Sequence, residues 1–104
     1  ESTPTVVAEE SALAGMPSTF ALSQNHPNPF NPSTTISYSL ASSGYMSLKV
    51  YDLLGQQVAT LVEGNRLAGS YQVRLDAADL SSGMYFYQMQ AGGQVFNRKM
   101  TLLK

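Results

Sequence analysis

From residue 20 onward, apolar and polar side chains alternate with period two in short stretches that are broken by turn residues at roughly every 8 to 12 positions. Ile36, Tyr38 and Leu40 alternate with Ser37 and Ser39, and Met46, Leu48 and Val50 alternate with Ser47 and Lys49. A strand can turn such a pattern to one buried face, whereas a helix, whose side chains return about every 3.6 residues, cannot. A third strand is expected over 57–62, behind the turn Asp52-Leu53-Leu54-Gly55. After a loop at 63–66, Tyr71, Val73 and Leu75 alternate with Gln72, Arg74 and Asp76. The turn Asp79-Leu80-Ser81-Ser82-Gly83 leads into an aromatic-rich strand over 84–91, with Tyr85, Tyr87 and Met89 on one side. Gly92-Gly93 is a compact hairpin signal, because a primed two-residue turn needs positive φ. The last strand, over 94–103, has mixed faces: Phe96, Met100 and Leu102 fall on one side, Val95, Lys99 and Leu103 on the other. A β-bulge or a change of partner would reconcile them. With a short strand at 20–23 the number comes to seven, which predicts an all-β, immunoglobulin-like antiparallel sandwich.

The first 19 residues are different. Ser, Thr, Pro, Ala, Val and Glu dominate, and Pro4 and Pro17 interrupt any helix that starts there. One or two helical turns over 9–16 would be marginal without a surface to pack on. Residues 1–19 are therefore expected to be a flexible linker, and residues 20–104 the folded domain. All three charges of the linker are acidic (Glu1, Glu9, Glu10), so the domain carries six basic and four acidic groups.

Composition narrows the chemistry. One hundred and four residues make one core, and charged residues are 12% of the chain, about half the usual share. A net charge of −1 is too balanced for the basic stripe that nucleic-acid binding needs. There is no cysteine, which removes disulfides, thiolate metal sites and cysteine nucleophiles. No apolar run reaches the roughly 20 residues of a membrane span, and an export signal would have to lie on a longer precursor. His26 is the one histidine and has no second ligand or base beside it in the sequence, so a packed or solvated turn residue is the plainer reading. Asp52, Asp76 and Asp79 follow no calcium-loop spacing, and turn capping accounts for them. No cofactor is expected, and an enzyme would need a constellation that these residues do not supply.

The segment His26-Pro27-Asn28-Pro29-Phe30-Asn31-Pro32-Ser33-Thr34-Thr35-Ile36 reads on its own as a stiff, extended entry into a core strand. It closely resembles the opening motif of the C-terminal sorting domains of the type IX (Por) secretion system. Further blocks follow that family in order: Leu48-Lys49-Val50-Tyr51-Asp52-Leu53-Leu54-Gly55, the Gly-x-Tyr turns Gly69-Ser70-Tyr71 and Gly83-Met84-Tyr85, and the closing Arg98-Lys99-Met100-Thr101-Leu102-Leu103-Lys104. Two departures stand out, His26 in place of a more usual tyrosine and Leu75-Asp76-Ala77 in place of Trp-Asp-Gly. The resemblance implies a recognition module rather than an enzyme. It would direct an upstream cargo domain of the same polypeptide through the periplasm and the outer-membrane machinery to the cell surface or medium, with a sortase-like protease cutting in the linker.

The resemblance assigns structural roles to Asn28, Pro29, Phe30, Asn31, Pro32, Tyr51, Asp52, Gly55, Gly83 and Tyr85. Tyr85 is placed for a tyrosine corner, a hydroxyl tie from sheet to loop. Half of the basic groups, Arg98, Lys99 and Lys104, lie in the last seven residues. With Met100 as its anchor, this strip is the expected contact for the secretion machinery, although lysine on an edge strand also serves to discourage aggregation. The alternative is a structural or weakly carbohydrate-binding accessory module, with Tyr45, Tyr51 and Phe86 facing outward to stack on a sugar.

Overall fold

The computed structural model describes residues 7–13 and 17–104. Among these residues eight strands run in chain order: β1 (Val7–Leu13), β2 (Ala21–Leu22), β3 (Ser33–Leu40), β4 (Gly44–Tyr51), β5 (Gln57–Arg66), β6 (Gly69–Asp76), β7 (Gly83–Ala91) and β8 (Gln94–Leu102). They form two four-stranded antiparallel sheets, one in the order β1-β6-β3-β2 and the other β5-β4-β7-β8. The chain changes sheet between β3 and β4, between β5 and β6 and between β6 and β7, which is the sandwich connectivity expected of an immunoglobulin-like domain. Among the described residues no helix is long and apolar enough to cross a membrane.

Period two does what it predicts. Ile36, Tyr38 and Leu40 of β3 face Met46, Leu48 and Val50 of β4 across a core that also holds Val73, Leu75, Tyr87, Met89, Met100 and Leu102. The aromatic ring of Tyr38 stacks on that of Tyr71 directly opposite it in β6, with centroids 5.3 Å apart. No buried side-chain nitrogen or oxygen among the described residues lacks a hydrogen-bond partner.

The structure departs from the sequence reading in three places. Within the stretch expected as a linker, Val7–Leu13 is a strand paired along its whole length with β6, so 9–13 form no helical turn, while residues 1–6 and 14–16 of that stretch lie outside the described residues. Its backbone takes the open edge of a sheet, so its own side chains need supply little packing. The stretch 63–66, expected as a loop, continues β5, because Glu63, Gly64, Asn65 and Arg66 find partners in the first half of β4. Finally, β8 pairs with β7 without a register shift, and the bulges lie instead between β4 and β5. The mixed faces of β8 resolve through Arg98, which shares the inward row with Phe96, Met100 and Leu102 but stands at the sheet margin, where a long side chain reaches out of the core.

Candidate recognition surface

The proline-rich motif is a strap that ties the two sheets together. At one end His26 exchanges both backbone hydrogen bonds with Thr35 of β3, at 2.9 and 3.0 Å. At the other, the Phe30 N–H donates to Thr101 O and the Leu103 N–H donates to Phe30 O, both at 2.9 Å, which pins the strap along the outer edge of β8. The Phe30 ring is buried to 2% exposure. Asn28 Oδ1 accepts from the Thr101 N–H at 3.0 Å, and Pro32 O accepts from the Ala77 N–H at 3.0 Å. Pro29 and Asn31 are exposed. The segment bends at 27–29 and 31–32 instead of running as the stiff, extended entry its prolines suggest in sequence, and proline suits it because it adds no N–H that would need a partner there.

A buried polar knot holds the bend of the strap. Asn25, Thr34 and the Pro27 carbonyl meet, with Asn25 Nδ2 donating to Pro27 O and to Thr34 Oγ1 at 3.0 Å each, and Thr34 Oγ1 donating to Pro27 O at 2.8 Å. Sequence reasoning passed over Asn25 and Thr34. The signal for Thr34 was present in the alternation itself, because positions 34, 36, 38 and 40 all lie on the inward parity of β3.

The other motif residues shape turns. Asp52 Oδ1 accepts from the Leu54 and Gln56 N–H groups at 2.9 and 3.0 Å, and the Gly55 N–H donates to Asp52 O at 3.0 Å with φ of 82°. Tyr51 is half-buried at the end of β4. Gly83 has φ of 150°, a conformation that side chains disfavour, and Tyr85 Oη donates back to Ser81 O at 2.6 Å. The same device recurs at the other Gly-x-Tyr turn, where Tyr71 Oη donates to Leu67 O at 2.7 Å. Burial pushes the Tyr85 hydroxyl pKa up, and the nearby Asp52 carboxylate adds to the shift. Among the described residues no three histidine or acidic side chains gather where a metal ion could be held.

The basic strip on β8 separates into different environments. Arg98 Nε donates to Leu22 O of β2 at 3.0 Å and so bridges the two sheets. Met100 has no exposed surface and anchors the strand in the core. Lys104 Nζ donates to Ala78 O and Leu80 O at 2.7 and 3.0 Å, binding the end of the chain to the 76–83 turn. Lys99 faces outward in one cross-strand row with Phe86 and Tyr51, next to a shallow depression lined by Gln24, Phe86, Asn97 and Arg98. Tyr45 lies six residues before Tyr51 along β4, roughly 20 Å away at the rise of a strand, and its hydroxyl donates to Glu63 at 2.6 Å. That bond raises the Tyr45 pKa.

The edge of β8 is likewise divided. Ala91 pairs with Gln94 across the two-residue turn, so even-numbered residues of β8 bond to β7 and the backbone groups of odd-numbered ones point away from the sheet. Of the latter, Thr101 and Leu103 are met by the strap and Lys99 O by the Gln24 side chain. Val95 and Asn97 have no such backbone partner among the described residues. The open edge, the depression and Lys99 thus adjoin one another on the outside of the second sheet.

The family model described as "Secretion system C-terminal sorting domain" matches residues 25–102. No curated protein and no solved structure matches the chain.

Proposed function

Since the chain belongs to the family of type IX secretion system C-terminal sorting domains, we propose that the folded sandwich is itself the export signal, read by the outer-membrane machinery on the outer side of β8. The observation that carries this reading is the division of the basic strip. Arg98 and Lys104 are engaged with carbonyls of their own chain, whereas Lys99 stands beside an unpaired stretch of strand edge. An exposed edge offers main-chain hydrogen bonds to an added strand, and an adjacent cation orients the partner by charge. The partners are this machinery, the cargo domain upstream in the same polypeptide, and a sortase-like protease that cuts within residues 1–19. The destination of the cargo is the cell surface or the medium. No catalytic role falls to the domain.

The test is a fusion of residues 1–104 behind a signal peptide and a fluorescent reporter in a bacterium with a type IX system. Secretion of the reporter is expected, and retention of a correctly folded fusion in the periplasm would overturn the reading. Sequencing the N-terminus of any released domain then locates the cut relative to β1.

A further inference from the structure

Strand β1 covers an edge, and of its described side chains only Ala8 packs against the core. Ala8 is half-buried, and Glu9, Ser11, Ala12 and Leu13 are exposed. Glu10 is exposed as well, although its side chain keeps only 21% of its surface open to solvent. The register sets it opposite Val73, which in turn faces Ile36, and neither has any exposed surface. Glu10 therefore stands on the core-facing row of its sheet, at the margin where the two sheets part. Its carboxylate accepts a hydrogen bond from the Tyr38 hydroxyl of β3 and an ion-pair bond from Arg66 Nε of β5, at 2.9 and 3.2 Å to its two oxygens. One side chain thus fastens β1 to its own sheet and to the opposite one.

Withdrawing β1 would uncover a defined chemistry. The seven residues of β6 from Ser70 to Asp76 would lose a paired neighbour. The Tyr38 hydroxyl, on an otherwise buried ring, would lose its acceptor, and Arg66 would lose its counter-charge. A neutral strand laid on this edge would restore the backbone pairing but offer no carboxylate to the Tyr38 hydroxyl, whose residue is only 2% exposed, or to the partly exposed Arg66 guanidinium. β1, like β2, lies outside the residues that match the family model.

We propose that the β6 edge, with Tyr38 and Arg66 beside it, is a strand-addition site for an extended acidic peptide, occupied in cis by Val7–Leu13. When that strand is withdrawn or cut away, the site takes a partner segment that sets a carboxylate where Glu10 stands. The site exists whether or not the domain sorts cargo, so it fails or stands independently of the export reading.

The experiment is amide hydrogen exchange on the full chain, comparing the parent with Glu10→Ala and with the isosteric Glu10→Gln. Both variants are expected to exchange the Ser70 to Asp76 amides that face β1 at least tenfold faster, with β4 and β7 unchanged. Adding a synthetic peptide of residues 4–16 should restore the protection in the variants, and the same peptide with glutamine in place of Glu10 should restore at least tenfold less. Unchanged exchange in β6 in both variants would overturn the proposal, as would equal protection by the acidic and neutral peptides. If Glu10→Ala accelerates every strand, the Glu10→Gln chain decides by the same two criteria.

Discussion

Tyr87 has no exposed surface, and its hydroxyl donates to Ser23 O at 2.7 Å across the sandwich. Burial pushes its pKa up to about 12, against a small opposing effect from its hydrogen bonding and Arg98. Burial raises the Tyr38 pKa as well, reinforced by the Glu10 carboxylate that accepts a hydrogen bond from its hydroxyl. The sign of the consequence follows from proton binding. Above pH 10 the unfolded chain releases these protons while the folded chain keeps them, so stability is intact below pH 10 and falls as the pH climbs toward 12. Each proton so retained costs about 1.4 kcal/mol per pH unit. Urea midpoints measured at intervals between pH 8 and 12 should show this decline, and Tyr87→Phe should make it shallower, leaving the contribution of Tyr38. At neutral pH the same variant loses a hydrogen bond worth about 1 kcal/mol and leaves the Ser23 carbonyl in need of water. Tyr85→Phe is expected to cost a similar 0.5–1.5 kcal/mol or so through loss of its tie to Ser81, measured by the same unfolding curves.

Strands with one dry face were legible because alternation records burial directly: β3, β4, β6 and β7 fall where Ile36, Leu48, Val73 and Tyr87 repeat at even spacing with their neighbours. The pattern falters where something other than apolar burial holds an element. β1 is held by backbone pairing and one carboxylate, so its sequence looks like a linker. The end of β5 is held by β4, and β8 hides an inward row because arginine occupies one of its positions. The candidate site was legible in its residues but not in their division. Spacing alone could not distinguish Lys104, bound to turn carbonyls, from Lys99, which faces outward. The proline strap belongs to the same scale, and its hold on β8 is testable. Asn28→Ala removes the acceptor of the Thr101 N–H, and a loss of about 1 kcal/mol is expected, with faster hydrogen exchange at Thr101 and none in β3. The opposite end of β8 is fixed differently: a Cβ on Gly92 would lie 2.5 Å from the Phe20 ring, at a positive φ of 57°. Gly92→Ala should therefore destabilise by roughly 1–3 kcal/mol, with Phe20→Ala, Gly92→Ala together less damaging than the sum of the two changes.

A two-sheet sandwich has two flanks where the sheets part, and in this molecule an arginine crosses each. Arg66 reaches from β5 to Glu10 of β1, and Arg98 reaches from β8 to the Leu22 carbonyl of β2. The charges that close the fold are thereby separated from those left to act outside it, which gives the export reading a sharp test. Arg98→Ala should lower stability by about 1 kcal/mol, because a cross-sheet hydrogen bond is lost, whereas Lys99→Glu should change it by less than about 0.5 kcal/mol, since that side chain is exposed. If the machinery reads charge beside the open edge, secretion of the reporter falls at least tenfold for Lys99→Glu at an unchanged urea midpoint, and only modestly for Arg98→Ala. If it reads the intact fold alone, the ranking reverses and secretion follows stability across Arg98→Ala, Asn28→Ala and Gly92→Ala. Measuring secretion and unfolding on the same four proteins separates the two, because the structure assigns charge and stability to neighbouring residues on one strand, and each can be changed with little disturbance of the other.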